Sequence, residues 1–327
     1  MKAAFFDQQG AARDVLQVGT LPDPEPQPGE VRVKVAVSGL NPSDIKTRTG
    51  FNSFAMPFPR IVPHQDGAGT IDKVGPGVSE KRIGERVWLY KAQTGKAFGS
   101  AAGYVVVPST HAVRLADHVP FETGASLGIP AITAHRCLFA DGDLRGRRVL
   151  VQGGAGAVGT AAILLAKWAG AWVCATVSRA EQAEVATAAG ADLVINRFDE
   201  NVAEVVKRAT GNGVDRIVDV DLASNIETDI ACLAPSGVAI GYASENPQAK
   251  LSMPFLSTMF GGYTFRFVFF YSIPQSPFQQ AVEEVSACVA SGAYQPQIAM
   301  KLPLERIVEA HQAQEGGKAI GKILVEL

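Results

Sequence analysis

Two short stretches of this chain carry residue types and spacings that could do chemistry. The first is VPHQDGAGTIDKVGPGV, residues 62–78, where His64 stands close to Asp66 on a glycine-rich segment. An imidazole near a carboxylate is a donor set that a zinc ion can use. A histidine built into a β-rich framework is the alternative, and the two lead to different reactions. The second is Gly154-Ala155-Gly156-Ala157-Val158-Gly159, a GxGxxG. Alone that pattern is weak. Here it follows the apolar run RVLVQ and opens the helical GTAAILLAKWAG. In that strand–turn–helix setting glycines bring the backbone against a pyrophosphate, and the helix N-terminus offers free amides to the anion.

The elements that must position these residues change character along the chain. The first ~120 residues read as β. EVRVKVAV, residues 30–37, alternates polar and apolar as a half-buried strand does. Prolines 22, 24, 26 and 28 before it make an extended surface loop, because proline has no amide to give a sheet. From about residue 122 the chain turns alanine-rich and helical. From 147 strands and helices alternate: RRVLVQ, GTAAILLAKWAG, AWVCATV, RAEQAEVATAAG, ADLVIN, ENVAEVVKRATG, DRIVDVDL, GVAIGYA. That order predicts βαβ units and a parallel sheet, an α/β class of the doubly wound kind. TFRFVFFY, residues 264–271, is either a core strand or an edge strand that pairs across a dimer. KILVEL at the end is expected to be a strand that returns to the first domain.

Bulk properties bound the function. A chain of 327 residues suits about two domains of ~100–200 residues. The net charge of −2 gives no electrostatic reason to expect nucleic acid or an anionic membrane as partner. Four cysteines, at 137, 174, 232 and 288, have no CxxC spacing, which argues against a cysteine-built zinc lobe or a disulfide scaffold. Buried reduced thiols in a cytoplasmic protein are the expectation. MKAAFFDQQG lacks the apolar core of a signal peptide, and no uncharged apolar run reaches 18 residues.

The second strand of the dinucleotide unit sets the cofactor expectation. NAD binders place an acid ~20 residues beyond the glycine loop, on the ribose 2′-hydroxyl. Here that strand ends in Thr176-Val177-Ser178-Arg179. A hydroxyl and a guanidinium suit a 2′-phosphate, so NADP(H) is expected. The competing reading has Arg179 merely starting a helix and Glu181 supplying the acid. Arg197, after LVIN, either reaches the adenine end of the cofactor or is a solvated surface residue.

With PxPGEVRVKVAVSGLNPSD, the 62–78 segment, GGAGAVG and EAHQAQEGGKAIGKILVEL in hand, the chain resembles the medium-chain dehydrogenase/reductase superfamily over nearly its whole length. Within it, the chain is most similar to the zinc-free quinone oxidoreductase (zeta-crystallin-like) branch. The resemblance implies a GroES-like β-barrel domain plus a Rossmann doubly wound domain, with boundaries expected at 1–122, 123–265 and 266–327. Zinc-dependent members carry GHExxGxxxxxGxxV. Gly69, Gly75 and Val78 fix that register here, so Asp66 falls on the Glu and Gln65 on the ligand His, with His64 one place off. The other two ligand positions fall on Asn41 and Ile129. Asn, Gln and Ile do not make a catalytic zinc site, so no metal is expected.

The resemblance puts Asn41 and Asp44 at the nicotinamide end, and Thr133 and the Gly241-Tyr242 turn against the cofactor. Lys46 stands where relatives often have Tyr, and Leu164 where they often have Gln. Lys46 and Tyr90 are candidate donors to a substrate oxygen, against the simpler reading of a surface lysine and a core tyrosine. Phe51, Phe54, Met56 and Phe58 form either an apolar lid or ordinary core. The implied activity is zinc-independent, NADPH-dependent hydride transfer to a quinone or similar electrophilic carbonyl. The alternatives are an alkenal/enone double-bond reductase and a non-catalytic NADPH-binding protein. A homodimer is the expected assembly.

Overall fold

The structure is a computed structural model that describes every residue except Phe54 and Glu245. It divides into two units, Met1–Ile129 with Ile298–Leu327, and Pro130–Gln297.

The first unit is organised by the strand Glu30–Leu40. Its alternation is realised as expected, with Val31, Val33, Val35 and Val37 buried. One edge pairs antiparallel with Asp66–Val74. The other takes Tyr104–Pro108 along its first half and Lys322–Glu326 along its end. Arg86–Leu89, Ala112–Arg114 and Ile298–Pro303 complete the seven-stranded sheet. Val31, Val33, Val35 meet Ile71, Val87, Leu89, Val105 and Val107 in one core. Each such side chain contributes about 1.5–3 kcal/mol on burial. The C-terminal KILVEL does return to this unit, as the strand beside Glu30–Leu40.

The long strand ends at a helix, Pro42–Thr49. Asn41 is extended (φ −130°), Pro42 opens the first turn, and Gly50 in the left-handed region (φ 71°) stops it. The Asp44 carboxyl reaches back to accept the Asn41 N–H at 2.7 Å. A motif that looks like a site signature is thus first a helix start.

The second unit is a six-stranded parallel sheet. Across the sheet the strands run Leu193–Asn196, Trp172–Val177, Arg148–Gln152, Val214–Asp219, Leu233–Gly241, Thr264–Phe267. In chain order within the unit that is 3-2-1-4-5-6, the doubly wound arrangement of dinucleotide-binding folds. The three helices of the expected alternation are present, Ala157–Trp168, Ala180–Ala188 and Val202–Thr210, and a further one, Leu222–Cys232, connects the fourth and fifth strands.

The unit boundaries differ from those expected. The second unit runs to Gln297, not 265. The reason is that Thr264–Phe267 hydrogen-bonds to Leu233–Gly241 as the outermost parallel strand. The helix Gln275–Ala290 that follows buries Phe278, Ala281, Val282 and Val285. TFRFVFFY is therefore an edge strand that runs into core: Val268 and Phe270 are buried, while Phe267 and Phe269 are 68% and 63% exposed. No helix among the described residues is long and apolar enough to cross a membrane.

Candidate functional site

In the first unit Asn41, Asp44 and Asp66 come together with a residue the sequence reading did not single out, Lys322. All four are nearly fully buried. The Asp66 carboxylate accepts from Asn41 Nδ2 at 2.8 Å, Lys322 Nζ at 2.9 Å and the Ile129 amide at 2.9 Å. Lys322 also donates to Asn41 Oδ1 at 2.6 Å. Two of the three positions that hold zinc ligands in metal-dependent relatives, Asn41 and Ile129, thus converge on Asp66, and an ammonium supplies the positive charge. The third, Gln65, is turned elsewhere: its Oε1 accepts from Thr94 Oγ1 and the Gln93 amide. Burial and then the Asp66 charge push the Asp44 carboxyl up to about 8, so at neutral pH it carries its proton. A buried cluster with one lysine and one ionised aspartate is balanced; a second ionised aspartate would not be.

His64 belongs to a different network. Arg48 Nε donates to His311 Nδ1 at 3.3 Å, which leaves the His311 proton on Nε2. That nitrogen faces His64 Nε2 at 3.1 Å, so His64 accepts there and donates from Nδ1 to Ser38 Oγ at 2.7 Å. Ser38 bonds Ser100 at 2.8 Å, and Ser100 donates to the Asp66 carbonyl at 2.5 Å. Both imidazoles are neutral in this chain of bonds. Burial is the main reason, lowering His64 to about 3 and His311 well below its ordinary value. His64 is also held at φ 80°, a strained conformation for a histidine, and its two ring bonds fix it there. Both ring nitrogens are thus committed, and His64 is a framework residue.

The proposed donors to substrate are placed as follows. Tyr90 is buried, and its hydroxyl donates to the Thr110 carbonyl at 2.9 Å. Burial pushes the phenol up to about 12. Donation to a substrate would require it to give up that carbonyl. Lys46 is half-buried, its ammonium 4.6 Å from the Phe51 ring. Met56 and Phe58 pack half-buried against Phe6, Val15, Leu16 and Ile61, which makes them core. Phe54 lies outside the described residues.

In the second unit the glycine-rich loop has the shape a pyrophosphate needs. The tight turn is at Gly153 (φ 77°), one residue before the motif. A Cβ on Gly159 would lie 2.2 Å from the Gly153 carbonyl, so only glycine lets the helix start this close. On Gly156 the nearest atom would be 3.6 Å away, so that face is open to a ligand. Gly156 starts the helix Ala157–Trp168, with Ala157, Val158 and Gly159 in its first turn and no side chain capping their amides. These features fit a dinucleotide.

At the next strand tips, Ser178 bonds Gln182 Oε1 through both its amide and its hydroxyl, each at 2.9 Å. Arg179 is half-buried and precedes the helix Ala180–Ala188 in an extended conformation, as the competing reading had it, while Glu181 is exposed. Arg197 donates its amide to the Val177 carbonyl at 3.0 Å, so it emerges beside Ser178, exposed, with its guanidinium 5.0 Å from the Phe198 ring centroid. Thr133 is buried, and its hydroxyl has no partner among the described residues. Gly241 ends its strand, and the Tyr242 amide donates to the Asp219 carbonyl at 3.2 Å.

Residues 27–117 match the alcohol dehydrogenase GroES-like domain family, and residues 157–287 the zinc-binding dehydrogenase family. A quinone oxidoreductase of Rattus norvegicus is 31% identical over 313 residues, covering 93% of this chain and 91% of the relative. The chain belongs to the medium-chain dehydrogenase/reductase superfamily. Quinone oxidoreductases among its curated and structural relatives place it in the zinc-free, zeta-crystallin-like branch. Solved superfamily structures superpose over the whole chain. An Escherichia coli quinone oxidoreductase complexed with NADPH has a TM-score of 0.84 at 25% identity, covering 100% of each chain. An NAD-dependent alcohol dehydrogenase has 0.87 at 27%, also covering 100% of each.

For a medium-chain dehydrogenase/reductase, the zinc in one family name finds no matching donors at Asn41, Gln65 and Ile129. No cluster of three or more His, Cys, Asp or Glu able to hold a metal occurs among the described residues. Lys322 could have been suspected: it is the charged residue that opens the apolar run ILV, where burial forces a partner.

Proposed function

We propose that this chain is a zinc-independent, NADPH-dependent oxidoreductase whose acceptor is a quinone or a similarly electrophilic carbonyl. The observation that carries this reading is that the zinc-ligand positions of metal-dependent relatives hold Asn41, Gln65 and Ile129, with the Asn41 side chain and the Ile129 amide bonded to Asp66, which is paired with Lys322. A zinc Lewis acid contributes several kcal/mol to the charge that builds on a carbonyl oxygen. Without its ligands, the chemistry favours an acceptor that delocalises the incoming charge itself, as quinones and enones do.

When bound, the dihydronicotinamide supplies the hydride. The chain's share is to bind, orient and keep water out. Its first-turn amides at Ala157, Val158 and Gly159 take the pyrophosphate, and Ser178, Arg179 and Arg197 stand at the strand tips for the 2′-phosphate. Thr133 brings a hydroxyl with no other partner. Gly241 and Tyr242 border the same strand ends. Asn41 and Asp44 act by fixing the backbone and charge of their pocket, since their side chains are already bonded.

An acceptor panel of a quinone, an enone and a simple ketone, each with NADPH and NADH, tests this. Turnover is expected with NADPH and quinone, unchanged after dialysis against a chelator. Turnover on the enone alone points to an alkenal/enone reductase. Tight NADPH binding with no turnover makes the chain a non-catalytic binder. A ketone-only preference, or activity that returns only with added zinc, overturns the proposal.

A second copy of this chain is the partner the surface favours. The edge strand Thr264–Phe267 has an unpaired side among the described residues. Phe267 and Phe269 on that segment are joined in sequence by Phe255, Leu256, Met259 and Phe260 of the helix Phe255–Gly261, each more than half exposed. Apolar residues at this density next to an open strand need cover. Sedimentation is expected to give a homodimer, and Phe267→Glu to shift it towards monomer. A wild-type monomer removes this reading.

A further inference from the structure

The second unit holds a buried polar chain that the dinucleotide loop alone does not explain. It starts at the loop. The Gly153 amide donates to Thr176 Oγ1 at 3.1 Å, and Thr176 Oγ1 donates to Gln152 Oε1 at 2.7 Å. Gln152 Nε2 donates to Asp229 Oδ1 at 2.8 Å. The Asp229 and Asp219 carboxyl groups lie close enough for each to shift the titration of the other. Asp219 Oδ1 already accepts from the Asp221 amide at 2.7 Å and from Asn225 Nδ2 at 3.1 Å. The remaining oxygens, Asp229 Oδ2 and Asp219 Oδ2, are buried and accept from no donor among the described residues. Two buried carboxyl groups with no donor between them call for one shared proton, and it belongs on Asp229, because Asp219 accepts two N–H bonds to Asp229's one and is the better stabilised anion. Thr176, Gln152, Asp219 and Asp229 are all 5% exposed or less.

We propose that Asp229 is a positioning residue for the glycine-rich loop: it keeps one proton against Asp219 and, through Gln152 and Thr176, fixes the Gly153 amide at the head of the dinucleotide site. Gln152 and Asp219 are register partners at the C-terminal ends of the two strands where the sheet order reverses. That is the crevice where such folds bind dinucleotides. Burial and then the Asp219 charge hold the Asp229 carboxyl well above the usual carboxylate range. The other titratable groups whose charge reaches the pair are Asp221 in the strand-to-helix turn, Cys232 on the same helix and Tyr242 after the next strand, with Lys207 acting on Cys232. Of these, only Lys207 is cationic, so the proton is the pair's direct neutraliser.

The inference rests on reading Gly154–Gly159 as the NADP(H) loop, and the test separates the two. Difference infrared spectra at pH 7 against Asp229→Asn are expected to show the carbonyl stretch of a protonated carboxylic acid in wild type only. Asp229→Asn keeps every hydrogen bond, so its NADPH Kd is expected within about twofold of wild type. Asp229→Ala leaves Gln152 and Asp219 unpaired and is expected to raise that Kd about tenfold. Thr176→Val cuts the chain nearer the loop and is expected to cost as much while keeping the infrared band. The double variant is then expected to bind no worse than Thr176→Val alone. Absence of the band, losses that add, or Asp229→Asn as weak as Asp229→Ala would overturn the inference. Failure of the wild type to bind NADPH at all overturns the cofactor reading as well.

Discussion

Each unit buries a pair of aspartates, and each neutralises them differently. In the first unit Asp66 meets the Lys322 ammonium at 2.9 Å, and Asp44 keeps a proton. In the second, Asp219 and Asp229 pair with no lysine among the described residues, and burial beside Asp219 holds the Asp229 carboxyl well above its ordinary value. A lysine's charge comes with its own side chain and is lost when that side chain is replaced. A proton on a carboxyl is held only by its surroundings. The first arrangement is fragile to loss of one side chain. The second tolerates an isosteric amide and is exposed to alkali.

The largest effect that follows is on Lys322. Lys322→Met leaves the Asp66 charge without its cation in a site that is fully buried. Removing one partner of such a pair costs about 3–5 kcal/mol. Urea unfolding is expected to show that loss, with Asp66→Asn in the same chain recovering part of it. By contrast Asp229→Asn is expected to change stability by less than about 1 kcal/mol, because its bonds survive. If the two single variants lose equal stability, the units do not differ in the way argued.

A smaller effect concerns charge that the second unit keeps at its surface. Arg179 is half-buried at a strand tip and has no carboxylate partner among the described residues. A guanidinium hydrogen-bonded to a 2′-phosphate contributes about 1.5–3 kcal/mol. Arg179→Ala is therefore expected to weaken NADPH roughly tenfold or more, while NADH, which lacks that phosphate, changes little. Equal losses in a fluorescence titration would mean that Arg179 only opens its helix and that specificity lies with Ser178 or Arg197.

Much of the fold was legible because period and punctuation agree. The alternation of EVRVKVAV became a strand with every valine buried, and the helices closed where Gly170 and Gly190 take positive φ. The end of the second unit was misjudged. Nothing local in TFRFVFFY tells a last Rossmann strand from a first step back to the other unit. The site was legible where chemistry depends on local spacing, as in the glycine loop and the capping of Asn41 by Asp44. It was not legible where residues meet from opposite ends of the chain. Lys322 reaches Asn41 across 281 positions, and His311 reaches His64 across 247. Asp219 and Asp229 are ten apart in sequence, but only the packing of a helix on its strand shows that their carboxyls lie close.

The finest test separates the two neutralising devices by pH alone. Asp44 is an acid whose folded value, about 8, lies above its unfolded one. Its stabilising term is full below the unfolded value and is lost as pH rises through about 8. For one such group the slope approaches about 1.4 kcal/mol per pH unit inside that window. His64 and His311 act in the opposite sense. They are bases held neutral below their ordinary value, so they cost stability as pH falls from the ordinary histidine range towards about 3. Between about pH 7.5 and 8 the histidines, whose ordinary value is about 6.5, are essentially neutral in both states, and the acids act alone. Wild-type stability is expected to fall across that interval, and Asp44→Asn, which still accepts the Asn41 amide, to flatten part of the fall. The part that remains belongs to Asp229 and should vanish in the Asp44→Asn, Asp229→Asn double variant. A wild-type curve that is level from about pH 7.5 to 8 would mean that neither acid contributes to stability there. The contrast between the lysine and the proton would then have no consequence at physiological pH.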